Sequence, residues 1–168
     1  MRVPAPRGCA PSRVAAYRAR AAVAALTWTA TSCGVVATAP AESGLAPYQV
    51  VADGIPASLT TAAGDAARGR TLIVARDAAN CVLCHAVPDA AVRFSGDLGP
   101  SLAGVGARLS VAQLRLRVVD NLRLNPATAM PSYYRIEGLE RVASPYQGKP
   151  ILTAGEVEDV VAYLAALQ

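Results

Sequence analysis

The sequence predicts an all-α domain of three or more helices joined by long loops and preceded by an extended N-terminal arm. Three segments carry apolar side chains at helical spacing, and no segment shows the pattern of a parallel sheet. Two long stretches between the helices are irregular and rich in Gly and Pro. Because loops of this length usually enclose something functional, we expect the domain to be built around a functional group.

The composition is consistent with a domain whose core is completed by a cofactor. The 168 residues suffice for one domain with an extension, and 53% of them are hydrophobic. Large apolar rings are scarce, however, since Phe94 is the only phenylalanine and Trp28 the only tryptophan. A core of Ala, Val and Leu buries modest area per residue, so a bulky apolar cofactor would add to it.

Residues 1–41 have the layout of a secretory signal peptide that is cleaved after Ala41. Arginines at the start are followed by an uncharged apolar stretch and by a small-x-small site formed by Ala39 and Ala41. A retained anchor over residues 21–39 is the alternative, although this stretch is barely long enough to span a bilayer and contains several threonines. A lipid anchor on Cys33 fits less well, because no leucine stands three positions before it.

Removal of this leader would change both the charge and the cysteine content. The chain carries a net charge of +4, but from Glu42 onward eleven basic side chains face twelve acidic ones. The near-neutral remainder argues against binding to nucleic acid. Cys9 and Cys33 would leave with the leader, so that Cys81 and Cys84 are the cysteines of the exported protein.

Residues 42–63 form the predicted arm, and residues 64–168 form the helical domain. The arm contains two prolines and two glycines without a helical period, and its segment YQVV is a candidate for a short strand. The first helix is predicted to begin after Asp65 as N-cap and to end before Cys81. Gly69 inside this helix costs about 1 kcal/mol relative to alanine, so it needs a packing reason.

Two further helices are predicted from their caps and apolar stripes. Ser110 caps the first of them, and Thr153 and Glu156 form a capping box at the start of the last. The stripe of the middle helix contains Val111, Leu114, Val118 and Leu122. The stripe of the last helix contains Val157, Val160, Val161, Leu164 and Leu167, with Tyr163 at its edge.

The segment NCVLCHAV contains the spacing C-x-x-C-H, formed by Cys81, Cys84 and His85. Cysteines at i and i+3 lie on one side of a helical turn, so both thiols can bind the two vinyl groups of one porphyrin while the histidine ligates its iron. Zinc is disfavoured because a structural zinc site needs four ligands and the chain offers no second pair. A redox dithiol or a plain disulfide remains an alternative, but the surrounding sequence lacks the βαβ pattern typical of dithiol enzymes.

Two features further along the chain support haem. Met130 is the only methionine apart from Met1, and His/Met ligation is the usual axial pair of electron-transfer cytochromes c. Iron-bound imidazole also needs its other N–H held by an acceptor, which is often a backbone carbonyl. Gly99 and Pro100 stand where class I cytochromes c place the residues that supply this carbonyl.

With these motifs the chain resembles class I cytochromes c, and within them the SoxX family. The resemblance covers about residues 47–168 and depends on the segments GDAARGR, NCVLCH, GDLGPSLAGVGARLS, LRLRVVDNLRLNPATAMPSYY and GKPILTAGEVEDVVAYLAAL. It implies the class I fold, with helices and long loops wrapped around one covalently bound haem c. It also implies attachment of the haem at Cys81 and Cys84, with His85 as proximal and Met130 as distal iron ligand.

The resemblance further implies a role in sulfur oxidation. SoxX pairs with SoxA, a haem-containing cytochrome subunit, in a periplasmic complex that couples thiosulfate oxidatively to a cysteine of the carrier SoxYZ. In such an L-cysteine S-thiosulfotransferase complex SoxX accepts the released electrons and passes them to a soluble cytochrome c, whereas the catalytic haem is on SoxA. No catalytic residue is therefore expected on this chain. The alternative is a free-standing monohaem carrier of another respiratory chain.

Overall fold

The structure is a computed structural model that describes residues 45–168, so the predicted leader and the start of the arm lie outside the described residues. Its helices are α1 (Ala66–Val74), α2 (Val105–Arg108), α3 (Val111–Asp120) and α4 (Ala154–Ala166). Three single 3₁₀ turns cover Cys81–Leu83, Asn121–Arg123 and Ser144–Tyr146. The described range contains no β-strand, and the all-α prediction is confirmed.

The helices begin where the sequence places their caps. The Asp65 side chain accepts a hydrogen bond of 2.8 Å from the backbone N–H of Arg68 at the start of α1. Thr153 and Glu156 exchange side-chain and backbone hydrogen bonds at the start of α4, which confirms the predicted capping box. Ser110 caps α3 in the same reciprocal way with Gln113. Each cap satisfies backbone N–H groups that have no partner inside the helix.

Helix α1 ends at Val74, before Cys81 as predicted, because Ala75 adopts an extended conformation. Two other local expectations differ from the structure. The segment YQVV forms no strand, since Val51 pairs with Gly54 in an isolated bridge and no second strand is beside it. Val111 is 46% exposed rather than part of the core, because it lies in the first turn of α3 on the solvent side.

Helix α4 is the centre of the core, and both α1 and α3 pack against it. Close packing against α4 explains why glycine stands at position 69 of α1. A Cβ on Gly69 would overlap the backbone carbonyl of Asp159 in α4. The missing side chain therefore allows the backbones of α1 and α4 to touch. The fully buried apolar side chains of the core are Ile55, Ile73, Leu116, Val119 and Val157.

The arm is attached to α3 and α4 through a buried ion pair. The Arg115 Nε lies 2.7 Å from Glu158 Oε1, and both side chains are almost fully buried. Arg115 also donates to the Ile55 carbonyl at 2.6 Å, and the Leu59 N–H donates to Glu158 Oε1 at 2.9 Å. Because all four groups are withdrawn from water, removing one charge leaves the other unpaired in the interior.

Glu158→Gln should therefore destabilise the protein by about 3 kcal/mol at neutral pH. Burial raises the pKa of Glu158, but hydrogen bonds from Arg115 and the Leu59 N–H and the positive charge of Arg115 outweigh it, so the pKa lies below its usual 4.5. The stabilisation by this carboxylate is then complete above pH 4.5 and is lost as the pH falls through the lowered pKa. Denaturant unfolding measured between pH 7 and pH 3 should show this decline in the wild type and a flatter profile in the variant.

The exposed Glu140 provides the matched control, since the structure gives it no hydrogen bond or ion pair to another described residue. Glu140→Gln should leave the free energy of unfolding within about 0.5 kcal/mol of the wild type. Equal effects of the two substitutions would contradict the interpretation of the buried pair.

Candidate haem site

The C-x-x-C-H segment is wound into one tight turn. Asn80 precedes it with φ of 57°, a left-handed conformation that asparagine tolerates better than most residues. The backbone N–H groups of Cys84 and His85 both donate to the Cys81 carbonyl, at 3.1 and 2.9 Å. The turn therefore holds both cysteines and the histidine as one unit.

The two cysteines are not joined in a disulfide, and both are partly buried. Burial raises the pKa of the Cys81 thiol, and a hydrogen bond with Tyr133 offsets this only in part. Burial also raises the pKa of Tyr133, whose hydroxyl donates to the Ala79 carbonyl at 2.8 Å. A reactive dithiol needs a lowered thiol pKa, so the surroundings of Cys81 disfavour the redox-dithiol alternative.

The His85 ring is oriented by the Gly99–Pro100 pair that the sequence singled out. His85 Nδ1 lies 2.7 Å from the Pro100 carbonyl oxygen. Because a carbonyl can only accept, Nδ1 carries the proton and Nε2 keeps its lone pair. A Cβ on Gly99 would come within 2.7 Å of Nδ1 and 2.9 Å of Nε2, so only glycine leaves room for the ring in this position.

One apolar cleft brings three of the four sequence-predicted site residues together. Its walls are formed by Ile73, Cys81, His85, Leu102, Val118, Met130, Tyr133, Leu152, Val160 and Leu164. Cys84 is not part of these walls and lies at the partly exposed side of the turn. An imidazole, a thioether and a thiol among aliphatic side chains are the donor groups and the apolar lining that haem c needs.

The loop that carries Met130 is held in place by a short side-chain network. Thr128 Oγ1 accepts from the Met130 N–H at 3.1 Å and from Asn121 Nδ2 at 3.0 Å. Just beyond it, the N–H groups of Tyr133 and Tyr134 donate to carbonyls at the end of α3. The backbone at Met130 is therefore anchored to the end of α3 and to the 3₁₀ turn that follows it, although it lies on an irregular segment.

Sequence reasoning missed Tyr133 and Asn80. Tyr133 is buried, forms one wall of the cleft and contacts Cys81, which is far from it along the chain. The signal that was available is the pair of adjacent tyrosines following Met130, in a chain otherwise poor in aromatic residues. Asn80 stands directly before the motif, where the left-handed turn needs a residue that accepts a positive φ.

Residues 45–168 give little support to a metal-ion site or to a membrane-spanning helix. No three His, Cys, Asp or Glu side chains come together there as ligands for a metal ion. No helix of the described part is both long and apolar enough to cross a membrane.

Comparison with known proteins decides the family. A family model described as cytochrome c matches residues 66–168, which is more than half of the chain. The chain belongs to the cytochrome c family. No protein with a curated description matches this cytochrome c. Its fold is similar to that of a chain in the crystal structure of SoxXA from P. pantotrophus, with a TM-score of 0.66 and 35% sequence identity.

The similarity to SoxXA covers 71% of this cytochrome c and 93% of the matched chain. At that identity and coverage the protein is a SoxX-like cytochrome, and the predicted class I cytochrome c fold is confirmed. Membership in the family and the likeness to SoxXA also establish covalently bound haem c as its cofactor. Both findings are compatible with a periplasmic location.

Proposed function

We propose that this cytochrome c is the monohaem electron-transfer subunit of a periplasmic SoxAX-type complex that oxidises thiosulfate. The observation that carries the proposal is the match over 93% of the chain from SoxXA at 35% identity. The partner is then a SoxA-like cytochrome subunit that holds the catalytic haem. The electrons leave this chain for a soluble cytochrome c.

Within this proposal Cys81 and Cys84 attach the haem, His85 is the proximal ligand and Met130 the distal one. Support comes from the turn that joins the first three residues and from the cleft that Cys81, His85 and Met130 share. When bound, haem c supplies a one-electron Fe(III)/Fe(II) couple. Iron held by both His85 and Met130 would have no position left for a substrate, which would suit the site to electron transfer.

The residues of this chain would hold the haem in place and keep water away from it. Pro100 fixes the His85 tautomer, so Nε2 is the nitrogen that would hold the iron, and the hydrogen bond at Nδ1 would make the imidazole a stronger donor. The other walls of the cleft, among them Leu102 and Leu152, are aliphatic and offer water no hydrogen-bonding side chain. Less reorganisation of solvent accompanies a change of charge in such a dry site.

The proposed reaction of the complex requires this subunit to be reduced twice. Joining the terminal sulfur of thiosulfate to a cysteine thiol of the SoxYZ-type carrier forms one S–S bond and releases one proton and two electrons. In the proposed complex the bond forms on the SoxA-like partner, and this chain accepts the electrons one at a time.

Co-purification and reduction by thiosulfate test the proposal together. The haem-loaded chain should form a stable complex with the SoxA-type subunit from the same genome, and thiosulfate should reduce its haem only when that partner and the carrier are both present. A chain that stays monomeric and indifferent to these additions is a free-standing carrier, and the proposal then fails. A cytochrome c from another respiratory chain, mixed with the same components, serves as the control.

Met130→Ala should abolish the weak sulfur-to-iron absorption band at the red end of the oxidised spectrum. The reduction potential should fall by on the order of 0.1 V or more, because methionine ligation favours the reduced iron. Leu102→Ala removes a side chain from the wall of the same cleft without removing sulfur, and should keep the band. Absence of the band from the wild type would show that the axial assignment is wrong.

A further inference from the structure

One hydrogen bond joins the segment that carries Met130 to the segment that carries Cys81. The Tyr133 hydroxyl donates to the Ala79 carbonyl at 2.8 Å, although the two residues are 54 positions apart along the chain. Both are buried, with exposed fractions of 6% for Tyr133 and 2% for Ala79. We call this contact the Tyr133–Ala79 bond. Within residues 45–168 no other hydrogen bond connects residues 128–134 with residues 79–85.

The Tyr133 end of the bond is fixed by the walls of the cleft. The Tyr133 N–H donates to the Val118 carbonyl at 3.2 Å, and the Tyr133 carbonyl accepts from the Leu152 N–H at 3.0 Å. Val118 and Leu152 line the same cleft as Met130. The tyrosine ring therefore extends from a backbone that belongs to the methionine side of the site.

The Ala79 end of the bond lies at the entrance to the attachment turn. Asn80 follows with its left-handed φ of 57°, and the Cys81 carbonyl then accepts from the N–H groups of Cys84 and His85. Fixing the Ala79 carbonyl thus fixes the point at which this turn starts. The Tyr133–Ala79 bond consequently sets the separation between the histidine side and the methionine side.

The Ala79 carbonyl depends on Tyr133 for its hydrogen bond. No backbone N–H of the described residues donates to it, and its other contact is Cys81 Sγ at 3.9 Å. Attachment of haem adds the Cys81 S–H across a vinyl group, after which the sulfur has no proton to donate. Burial raises the pKa of the Tyr133 hydroxyl, which therefore keeps its proton and remains a donor.

We infer that Tyr133 is a positioning residue that keeps Met130 on the haem iron. The inference rests on the axial assignment made in the proposed function. An outside ligand can replace Met130 only if the methionine side moves away from the attachment turn, and this movement breaks the Tyr133–Ala79 bond. The bond is present when the site is closed and absent when it is open, so it favours the closed state.

The remainder of the methionine segment does not connect to the turn. Ala127, Ala129 and Pro131 are exposed. The Met130 N–H is bonded to Thr128, which is itself bonded to Asn121 after α3. These contacts hold the segment to the methionine side alone. Resistance to opening against the turn therefore comes from Tyr133.

The proposed function gives this closure a purpose. A complex that oxidises thiosulfate works among small sulfur anions, and thiolate sulfur is a ligand of haem iron in other proteins. Release of Met130 would open a coordination position to such anions. A carrier blocked in this way would no longer exchange electrons freely, so a firmly closed methionine side protects electron transfer.

Tyr133→Phe tests the inference, because it removes the hydroxyl and keeps the ring. Imidazole is added to the oxidised, haem-loaded chain, and its binding is followed by loss of the weak sulfur-to-iron band. The affinity for imidazole should rise about tenfold, equal to about 1.4 kcal/mol, which is the order of the cost of a buried carbonyl without a donor.

Tyr134→Phe is the matched control. Tyr134 is the next residue, is equally buried, and its hydroxyl accepts from the Ala46 N–H of the arm at 2.7 Å. Its removal also leaves a backbone group without its partner, but away from the attachment turn. The affinity for imidazole should stay within about twofold of the wild type. An equal rise in both variants would show a general loss of stability and overturn the inference, as would an unchanged affinity in Tyr133→Phe.

A measurement on the wild type serves if Tyr133→Phe does not fold. The Tyr133 hydroxyl proton is buried and hydrogen-bonded, so it should exchange slowly with solvent and give a proton NMR signal. Saturation with imidazole should abolish this signal. A signal that persists in the imidazole complex would show that Met130 leaves without breaking the bond, and the inference then fails.

The positioning role and the proposed function fail in different ways. If the wild type neither binds the SoxA-type subunit nor is reduced by thiosulfate, but Tyr133→Phe binds imidazole more tightly, the role in sulfur oxidation is wrong and the positioning role stands. If partner binding and reduction occur while the Tyr133 and Tyr134 variants bind imidazole like the wild type, the positioning role is wrong and the proposed function stands.

Discussion

Gly99→Ala should yield a folded protein in which His85 no longer ligates the haem iron normally. The added Cβ would lie within 2.9 Å of Nε2 and 2.7 Å of Nδ1, closer than a Cβ approaches other atoms in real proteins. The ring would have to leave its hydrogen bond to the Pro100 carbonyl, which lies 2.7 Å from Nδ1. Loss of an orienting partner of this kind typically costs 10- to 100-fold in metal affinity or activity.

The measurement is the fraction of chains with an intact six-coordinate spectrum, compared with total covalent haem from a pyridine haemochrome assay. We expect the six-coordinate fraction to fall at least tenfold while covalent attachment at the cysteines persists. Gly155→Ala is the control, because a Cβ there meets no atom within 4 Å. An unchanged spectrum in Gly99→Ala would mean that His85 is not held in the orientation described above.

The parts of the site that sequence predicts are those whose chemistry requires a fixed local spacing. Covalent attachment and proximal ligation need two thiols and an imidazole within one turn, so the sequence alone identifies Cys81, Cys84 and His85. The Gly99–Pro100 pair could be predicted because class I cytochromes c place such a pair shortly after that turn. Tyr133 could not, since its contact with Cys81 depends on how the loop after Met130 folds back over the cleft.

The fold shows the same division between local and long-range determinants. Helix caps such as Thr153 with Glu156 depend on residues within four positions of each other, and this predicted cap is confirmed. Arg115 and Glu158 are far apart in sequence, and charged residues on helices are ordinarily solvent-exposed. Only the arm that covers them, through Ile55 and Leu59, makes them a buried pair. Whether such residues are buried depends on tertiary packing, which the periodicity of a single helix does not show.

Gly69→Ala should destabilise the protein by about 3 kcal/mol, against the intrinsic preference of a helix for alanine. The new Cβ would overlap the Asp159 carbonyl oxygen and come within 3.0 Å of the Val160 nitrogen, so α1 and α4 would have to separate. Backbone atoms in the middle of α4 cannot yield as a flexible side chain would. Denaturant unfolding of the haem-loaded protein measures the loss.

The control for this substitution is again Gly155→Ala, the same chemical change inside a helix with open space around it. There alanine should stabilise the protein by up to about 1 kcal/mol, so the two variants should differ in sign. A Gly69→Ala protein as stable as the wild type would contradict the close crossing of α1 and α4. Since Ile73 of α1 and Val160 of α4 are walls of the cleft, separating these helices should also loosen the haem pocket, visible as a weaker red-end band.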